Sequence, residues 1–266
     1  LFNRALSGRY PPGSIFKLLN GLIALEEGVL YKNKYYECNG GYEYEKGKIL
    51  KCHPHKSRTN LEQAITISCN TYFCKTFSDL FKKFDSTEQS YKIWRTHLNS
   101  FGVGEWMNND FVSGEKGMLP EYKYYSEYYG RKSWNSSTII SMAIGQGELL
   151  LTPIQMANIT AIIANRGYYY TPHIIKSIEG KKNIDSTYIR KKFSSVRPEN
   201  FEIIINGMEN AIKSTDGTAH NIFSDSISMC GKTGTAENPH GEDHSIFIAF
   251  APKNKPTIAI AVYIEN

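Results

Sequence analysis

The chain has 266 residues, of which 41% are hydrophobic and 13% aromatic, so it can bury a substantial core and is not an intrinsically disordered protein. Its formal net charge of +5 is modest, and the basic residues are scattered along the chain, which argues against a nucleic-acid-binding protein. No stretch reaches the roughly 20 apolar residues that cross a bilayer, and no N-terminal stretch has the pattern of a signal peptide.

The stretch GRYPPGSIFKLLNGLIALEEG, residues 8–28, predicts a buried helix that begins near Ser14 and ends at Gly28. A Pro-Pro-Gly sequence breaks any preceding structure, and apolar residues then recur at intervals of three and four. Ser14 and Lys17 share one side of its amino end, where free N–H groups favour developing negative charge. The pair is either a helix cap with a surface lysine, or a nucleophile with the amine that activates it.

Residues 31–59 are rich in Tyr, Gly, Lys and Cys and have no apolar period, which predicts an inserted loop or a small hairpin. Cys38, Cys52 and His55 lie there, and two thiols with an imidazole are typical zinc ligands, although the C-x13-C-H-x-H spacing matches no standard zinc finger. A Cys38–Cys52 disulfide is the alternative outside the cytoplasm, and ordinary loop residues are the third. Either special use would be structural and separate from the pair at Ser14.

The next two predicted helices are joined by a short connection. Asn60, followed three residues later by glutamine, forms a capping box that begins a helix ending at Ser68. Apolar residues at helical spacing over residues 73–84 predict the second helix. The side chains of Ser68 and Asn70, on the connection itself, can therefore point into a cleft. The nearby Cys69 is predicted to be a small buried residue.

The second half of the chain changes from helices to strands. Residues 102–137, rich in glycine and tyrosine, predict a long surface loop bordering the cleft. Thr152 and Pro153 open a helix that ends at Gly167, and Pro198 opens one more. The runs SISMCGKTGT, SIFIAFAP and TIAIAVYIEN then predict strands, the last two antiparallel neighbours. Helices packed on an antiparallel sheet make an α+β fold.

Three short motifs follow one another along the chain, namely S-x-x-K at Ser14, S-x-N at Ser68 and K-T-G at Lys232. In this order they are the serine acyl-transfer set of penicillin-binding proteins and class A β-lactamases. Over nearly all its length, the chain resembles the transpeptidase domain of a class B penicillin-binding protein, most like the elongation-type (rod-shape) members. The stretches that carry this resemblance are RYPPGSIFK, SCNTYFCKTF, IGQGELLLTPIQMANITAIIANRG and GKTGTAE.

The resemblance implies the penicillin-binding or serine β-lactamase-like fold, an antiparallel sheet flanked by helices with a mainly helical subdomain. Residues 1–266 would form one transpeptidase domain. In the family, a membrane anchor, a pedestal and two sheet strands precede the first motif, and a helix closes the domain. The chain is therefore expected to be an excerpt of an inner-membrane protein whose catalytic domain is periplasmic.

The resemblance also implies a peptidoglycan D,D-transpeptidase that needs no cofactor for catalysis. Ser14 would attack the carbonyl of a D-Ala-D-Ala stem peptide after Lys17 takes its proton, and Lys232 would help to lower the pKa of Lys17. The backbone N–H groups of Ser14 and Thr235 would form the oxyanion hole. Ser68 would relay a proton to the departing D-alanine.

Four residues of the second and third motifs would bind the substrate. Asn70 would hold its amide, and Thr233 and Thr235 would bind its terminal carboxylate near Lys232. Gly234, having no side chain, would let a substrate strand lie close to the edge of the sheet. The acyl group would then pass to an amine of a neighbouring stem peptide, and a β-lactam would acylate the same serine.

Two other functions share these motifs. A serine β-lactamase needs a positioned base for rapid hydrolysis, and no Glu-containing loop of the class A kind is evident. A β-lactam sensor or scaffold would bind without turnover. Asp243 and His244 suggest a catalytic triad, but Lys17 already fills the role of base, so turn residues are the simpler interpretation. Partners implied by the resemblance are a SEDS-type glycosyltransferase and other elongation-complex proteins, and D,D-carboxypeptidase activity is an expected side reaction.

Overall fold

A computed structural model describes residues 2–111, 113–130, 133–180, 184–238 and 241–266 of the protein. The α-helices are α1 (Arg4–Ser7), α2 (Lys17–Glu26), α3 (Leu61–Thr66), α4 (Asn70–Lys82), α5 (Thr87–Ser100), α6 (Tyr122–Tyr129), α7 (Pro153–Ala164), α8 (Ser186–Ile189) and α9 (Phe201–Lys213). The strands are β1 (Tyr36–Glu37), β2 (Gly41–Glu45), β3 (Lys48–Lys51), β4 (Arg58–Thr59), β5 (Tyr168–Tyr169), β6 (Lys192–Phe193), β7 (Cys230–Ala236), β8 (His244–Ala251) and β9 (Ile258–Ile264). Short 3₁₀ helices lie at Gly13–Phe16, Ile140–Ile144, Pro198–Asn200 and His220–Ile222.

The main sheet is antiparallel and has the order β7-β8-β9. Its register places Lys232 opposite Ile248, which in turn lies opposite Ala261. Helix α9 packs against β7, and α7 packs against β8 and β9. These helices and the sheet confirm the predicted α+β fold. Among the described residues, β7 is paired along one edge only, which leaves its other edge open toward the first motif.

Helix α2 is the centre of the helical part. Every residue from Lys17 to Leu25 is buried. Asn20 is held by three hydrogen bonds, because its Oδ1 accepts from Trp94 Nε1 at 2.8 Å and its Nδ2 donates to the carbonyls of Met142 and Ala143 at 3.1 and 3.0 Å. A buried amide that is fully satisfied fixes the elements around it. This one ties α2 to α5 and to the 3₁₀ helix that leads into the cleft.

The sequence predicts five of the described α-helices and misses four, the short α1 and α8 and the longer α5 and α6. Helix α5 is absent from the prediction, and α6 lies within residues 102–137, which are predicted to be a loop. Tyr125 of α6 is fully buried, with its ring 5.1 Å from that of Trp134 and 5.7 Å from that of Tyr91. The tyrosine-rich segment is therefore helical because it packs on an aromatic cluster of the core. No apolar periodicity in the local sequence predicts this helix.

The segment 31–59 contains two small antiparallel pairs, β1 with β4 and the hairpin of β2 with β3. This confirms the predicted small hairpin. Among the described residues, no helix is both long and apolar enough to span a bilayer.

Candidate active site

Ser14 lies on the 3₁₀ turn Gly13–Phe16, directly before α2, and it is partly exposed between buried neighbours. The turn is pressed against β7. Gly13 has φ +55°, its N–H donates to the carbonyl of Gly145 at 2.9 Å, and a Cβ there would lie 2.4 Å from the carbonyl oxygen of Thr235. Only glycine permits that conformation and that approach together. The first and third motifs therefore meet at Ser14.

Lys17 joins the first motif to the second. Its side chain is fully buried, and its Nζ donates to three oxygens: the carbonyl of Ser68 at 2.8 Å, the hydroxyl of Ser68 at 3.1 Å and Oδ1 of Asn70 at 2.5 Å. Burial lowers the pKa of Lys17 from its ordinary value near 10.5 to about 8. A substantial fraction of this amine is therefore neutral slightly above neutral pH.

Ser68 has the backbone conformation that brings both its oxygens to one amine. It follows α3 with φ +58°, a left-handed conformation that non-glycine residues seldom adopt. Such a conformation costs on the order of 1 kcal/mol and is common at functional sites. The predicted short connection between two helices is confirmed, and its side chains do point into the cleft toward Lys17.

Lys232 brings a second buried amine to the same region. It is fully buried in β7, and its Nζ donates to the carbonyl of Thr233 at 3.0 Å. Burial is the main cause that lowers the pKa of Lys232 well below its ordinary value, and the charge of Lys17 lowers it further. The sequence-based hypothesis attributed a lowered pKa of Lys17 to burial beside a second cation such as Lys232. Burial is indeed the largest cause at both amines, and the effect of one amine on the other is found at Lys232.

The hydroxyl and carbonyl groups of the third motif contact residues that the sequence analysis did not single out. Thr233 Oγ1 donates to Thr218 Oγ1 at 2.8 Å. The carbonyl of Thr235, a residue on the exposed side of β7, accepts from Nε2 of Gln146 at 3.2 Å. Gln146 thus reaches across the cleft to the strand that carries K-T-G.

A structural reason that the sequence did not reveal explains why residue 234 is a glycine. A Cβ at this position would lie 3.2 Å from the carbonyl oxygen of Pro12 and 3.3 Å from Cγ2 of Ile15. The missing side chain therefore lets the turn that carries Ser14 pack against β7. Space for a substrate strand, the reason given from the sequence, stays a prediction.

The structure gathers four potential metal ligands beside the second motif. The ligand atoms of Cys38, Cys52, His55 and Cys69 all lie within 4.8 Å of one another. Tetrahedral zinc with Zn–S bonds of about 2.3 Å holds its sulfurs about 3.8 Å apart, and the Cys52 and Cys69 sulfurs are separated by 3.8 Å. Three sulfurs and one imidazole therefore fit a structural zinc site. Cys69, predicted to be merely buried, is the potential ligand that the sequence does not indicate.

The Cys38–Cys52 disulfide alternative is wrong for this structure, because both thiols are free. Cys38 Sγ instead donates to Thr71 Oγ1 at 3.1 Å, and Cys52 Sγ lies 3.3 Å from His55 Nε2. A hydrogen bond from the thiol of Cys69 is the largest cause that lowers the pKa of Cys52, to about 4. Cys52 is thus poised as the thiolate that metals bind.

The expectation that the cysteine cluster is separate from the catalytic motifs is also wrong. The backbone N–H of Asn70 donates to Cys52 Sγ at 3.2 Å, and Asn70 Nδ2 donates to the carbonyl of Lys51 at 2.8 Å. Asn70 Oδ1 accepts from Lys17. One residue therefore connects the cluster to the buried amine.

Asp243 and His244 take no part in this group of contacts. Asp243 accepts from the backbone N–H of Asn238, and His244, the first residue of β8, accepts from that of Asn266. Asp243 lies directly before the strand, as its interpretation as a turn residue predicts, whereas His244 belongs to β8 and pairs with Ala236.

Known proteins that are similar to this chain agree with the arrangement of the three motifs at one site. The family model described as penicillin binding protein transpeptidase domain matches residues 1–266. The chain is 31% identical over 288 residues to the peptidoglycan D,D-transpeptidase MrdA of Acinetobacter baumannii, covering 100% of this chain and 41% of that protein. It is 27% identical over 288 residues to MrdA of Escherichia coli K12, covering 100% of this chain and 44% of that protein. The chain thus spans less than half the length of these relatives.

Solved structures match over the whole chain. PBP2 of Pseudomonas aeruginosa, solved in complex with WCK 5153, has a TM-score of 0.85 and 30% identity, covering 100% of this chain and 58% of that one. PBP2 of Helicobacter pylori in complex with MreC has a TM-score of 0.80 and 28% identity, covering 99% of this chain and 47% of that one.

Proposed function

The chain belongs to the penicillin-binding protein transpeptidase domain family, with similarity to its MrdA and PBP2 members, and from this premise we propose that it is the catalytic domain of a peptidoglycan D,D-transpeptidase. One observation carries the proposal. Lys17, one helical turn after Ser14, is buried and donates to both Ser68 and Asn70, while Lys232 lies close enough for the charge of Lys17 to lower its pKa.

Acylation begins with the loss of a proton from Ser14. A neutral Lys17 amine has two N–H donors and a lone pair, so it can keep two of its hydrogen bonds and accept the proton of the serine hydroxyl. The Ser14 oxygen then attacks the carbonyl of the penultimate D-alanine, and the backbone N–H groups of Ser14 and Thr235 stabilise the oxyanion. Ser68, hydrogen-bonded to Lys17, passes a proton to the amine of the departing D-alanine.

Substrate binding falls to the third motif and to Asn70. The terminal carboxylate binds the hydroxyls of Thr233 and Thr235, near the ammonium of Lys232. The open edge of β7 pairs with the peptide backbone as an added strand, Gly234 leaves room for it, and Asn70 holds the peptide amide. An amine of a neighbouring stem peptide then takes the acyl group and forms the cross-link. Water in its place gives the D,D-carboxypeptidase side reaction, and a β-lactam leaves a stable acyl-enzyme.

Zinc would have a structural role beside this site. Cys38, Cys52, His55 and Cys69 would hold the ion, which contributes folding free energy when bound and takes no part in proton transfer. By holding Cys52, the bound ion would keep the acceptor of the Asn70 N–H in place. The second motif would then depend on the ion for its position.

Partners and location are proposed by analogy with the relatives. A solved structure similar to this chain is a complex of PBP2 with MreC, and another belongs to work on a peptidoglycan synthase complex that coordinates polymerization and crosslinking. We propose that the chain works at the outer face of the inner membrane with a SEDS-type glycosyltransferase and other elongation-complex proteins, on nascent or lipid-linked stem peptides.

The proposal is tested by supplying the full-length protein with a D-Ala-D-Ala pentapeptide donor, an amine acceptor and, separately, a labelled penicillin. We expect transfer of the acyl group to the amine and a penicillin adduct that lasts for hours. Rapid hydrolysis of penicillin would instead identify a β-lactamase. A stable adduct without any transfer to an amine would identify a sensor or scaffold.

The depressed pKa of Lys17 predicts how acylation depends on pH. The active form of a base is the unprotonated one, so with a pKa of about 8 the neutral fraction falls about tenfold for each pH unit below that value. The second-order rate constant of penicillin acylation should therefore rise from about pH 6 and level off above about pH 8. Stopped-flow measurement with a fluorescent penicillin checks this. A flat profile, or one that rises only near the ordinary lysine pKa, would contradict the assignment of Lys17.

Metal binding gives a separate prediction. The purified protein should contain one zinc per chain by mass spectrometry of the metal, and Cys52→Ser should abolish that content and lower Tm by about 5 °C or more. Cys230→Ala is the matched control, because Cys230 is a buried free cysteine outside the cluster. It should lower stability without changing the zinc content. Full stability of Cys52→Ser, or zinc retained by it, would argue against the site.

A further inference from the structure

Gln146 joins the loop after the 3₁₀ helix Ile140–Ile144 to the strand of the third motif. Its Nε2 donates to the carbonyl of Thr235 at 3.2 Å. The carbonyl of the preceding residue, Gly145, accepts from the backbone N–H of Gly13 at 2.9 Å. These two neighbouring residues therefore contact both the turn of the first motif and β7. Neither has a task in the catalytic steps of the proposed function.

The backbone of Gln146 is fixed before its side chain reaches β7. Its N–H donates to the carbonyl of Ser141 at 3.0 Å, and the N–H of Gly145 donates to that of Met142 at 3.3 Å. Gly145 has φ +75°, and a Cβ there would lie 2.1 Å from the carbonyl oxygen of Gly13, so a larger residue would not fit. This closed turn gives the amide of Gln146 a defined direction toward β7.

The 3₁₀ helix before Gln146 is itself anchored to the helix of the first motif. The buried Asn20, one helical turn after Lys17 on α2, donates through Nδ2 to the carbonyls of Met142 and Ala143 at 3.1 and 3.0 Å. A continuous set of contacts therefore runs from α2 through the 3₁₀ helix and Gln146 to β7. It sets the position of the third motif relative to the base of the first.

The hydrogen bond of Gln146 ends on a residue that the proposed function uses for its backbone N–H. A Cβ on Gly13 would lie 2.4 Å from the carbonyl oxygen of Thr235 and 3.2 Å from its nitrogen. Both backbone groups of Thr235 therefore face the turn that carries Ser14, as expected in an antiparallel strand, where the N–H and C=O of one residue point to the same edge. A contact that holds the carbonyl of Thr235 also restrains the direction of its N–H.

We propose that Gln146 is a positioning residue for the oxyanion hole, which holds Thr235 so that its N–H points at the carbonyl oxygen of the reacting acyl group. This inference rests on the proposed transpeptidase function and deepens it. Oxyanion donors act through preorganisation, and small displacements in an active site lower rates strongly. The carbonyl of Thr235 has two lone pairs, so it can accept from Gln146 and from a bound peptide at once.

Stopped-flow acylation of the full-length protein by a fluorescent penicillin tests this role, because it separates the binding constant of the penicillin from the rate constant of acylation. Gln146→Ala should lower the acylation rate constant about tenfold and change the binding constant less than about twofold. The loss should be smaller than the roughly 100- to 1000-fold caused by removing an oxyanion donor, because the Thr235 N–H remains and is only less well oriented.

Gln146→Glu separates the hydrogen bond from the space that the side chain fills. The carboxylate has the shape of the amide but no N–H to donate, and its charge repels the carbonyl oxygen of Thr235. This variant should therefore be at least as slow as Gln146→Ala. Gln89→Ala is the matched control, since Gln89 is an exposed glutamine of α5, and it should acylate at the wild-type rate. Gln146 is partly exposed, so thermal melts should show that both of its variants fold.

The ester of the acyl-enzyme gives a readout that a merely structural role would not move. Oxyanion-hole donors bind the carbonyl oxygen of this ester, and such hydrogen bonds lower its stretching frequency. Infrared difference spectra with an isotope-labelled penicillin identify the band. In Gln146→Ala it should lie at a higher frequency than in the wild-type protein, whereas Gln89→Ala should match the wild type.

The outcomes keep this inference apart from the proposed function. A wild-type protein that forms no penicillin adduct and transfers no peptide would overturn the proposed function itself. Acylation of Gln146→Ala at the wild-type rate, or an ester band at the wild-type frequency, would overturn the positioning role alone. Tighter binding and faster acylation in this variant would overturn it as well, because Gln146 would then be blocking the edge of β7.

Discussion

Replacing Ser14 with alanine should abolish acylation by penicillin and transfer of the stem peptide, with a loss of at least about 10⁴-fold. The substitution removes the oxygen that forms the covalent bond. Ser14 is only partly buried, so the variant should fold with a Tm close to that of the wild-type protein.

The measurement is the intact mass of the protein after incubation with a labelled penicillin, together with a thermal melt. Ser226→Ala, which alters an exposed serine away from the cleft, is the control and should acylate at the wild-type rate. A folded Ser14→Ala protein that still gains the mass of penicillin would show that another residue is the nucleophile.

Replacing Lys17 with methionine should lower the acylation rate constant by about 10²- to 10⁴-fold, because the variant keeps the length of the side chain but has no group that can accept a proton. Lys17→Arg should be similarly slow, since a guanidinium stays protonated at every usable pH. The methionine variant should also lose the rise in rate toward about pH 8, because that rise reports the titration of Lys17.

Stability separates a chemical role from a structural one here. Methionine removes a buried amine that is expensive to charge but leaves the oxygens of Ser68 and Asn70 without their donor, so the two effects on stability oppose each other. We expect a Tm within a few degrees of wild type. Lys213→Met, at the exposed end of α9, is the control. Wild-type acylation by Lys17→Met would contradict the role of Lys17 as base.

The elements that carry strong local signals were predictable from the sequence. Proline and glycine placed the start of the first helix near Ser14, and the capping boxes at Asn60 and Thr152 appear in the structure with both of their hydrogen bonds. These signals act over three or four residues, so they survive without knowledge of the tertiary structure. The motifs themselves are also local, which is why the family resemblance could be stated from them.

The contacts that assemble the site were not predictable, because they join residues far apart in the chain. The bond from Gln146 to Thr235 spans 89 positions, and the approach of Lys17 to Asn70 spans 53. Cys69 gave no signal of its own as a potential metal ligand, since the other three residues of the cluster lie in the separate segment 31–59. Helix α6 was missed for a related reason: its tyrosines form a helix only when they can pack on the aromatic core.

Mass mapping of the acyl-enzyme tests the central claim most directly. The wild-type full-length protein is trapped with a labelled penicillin, digested, and the modified peptide is sequenced by tandem mass spectrometry. Convergence of the three motifs predicts a single adduct, on the oxygen of Ser14. An adduct on any other residue, or none at a penicillin concentration that saturates related enzymes, would contradict it.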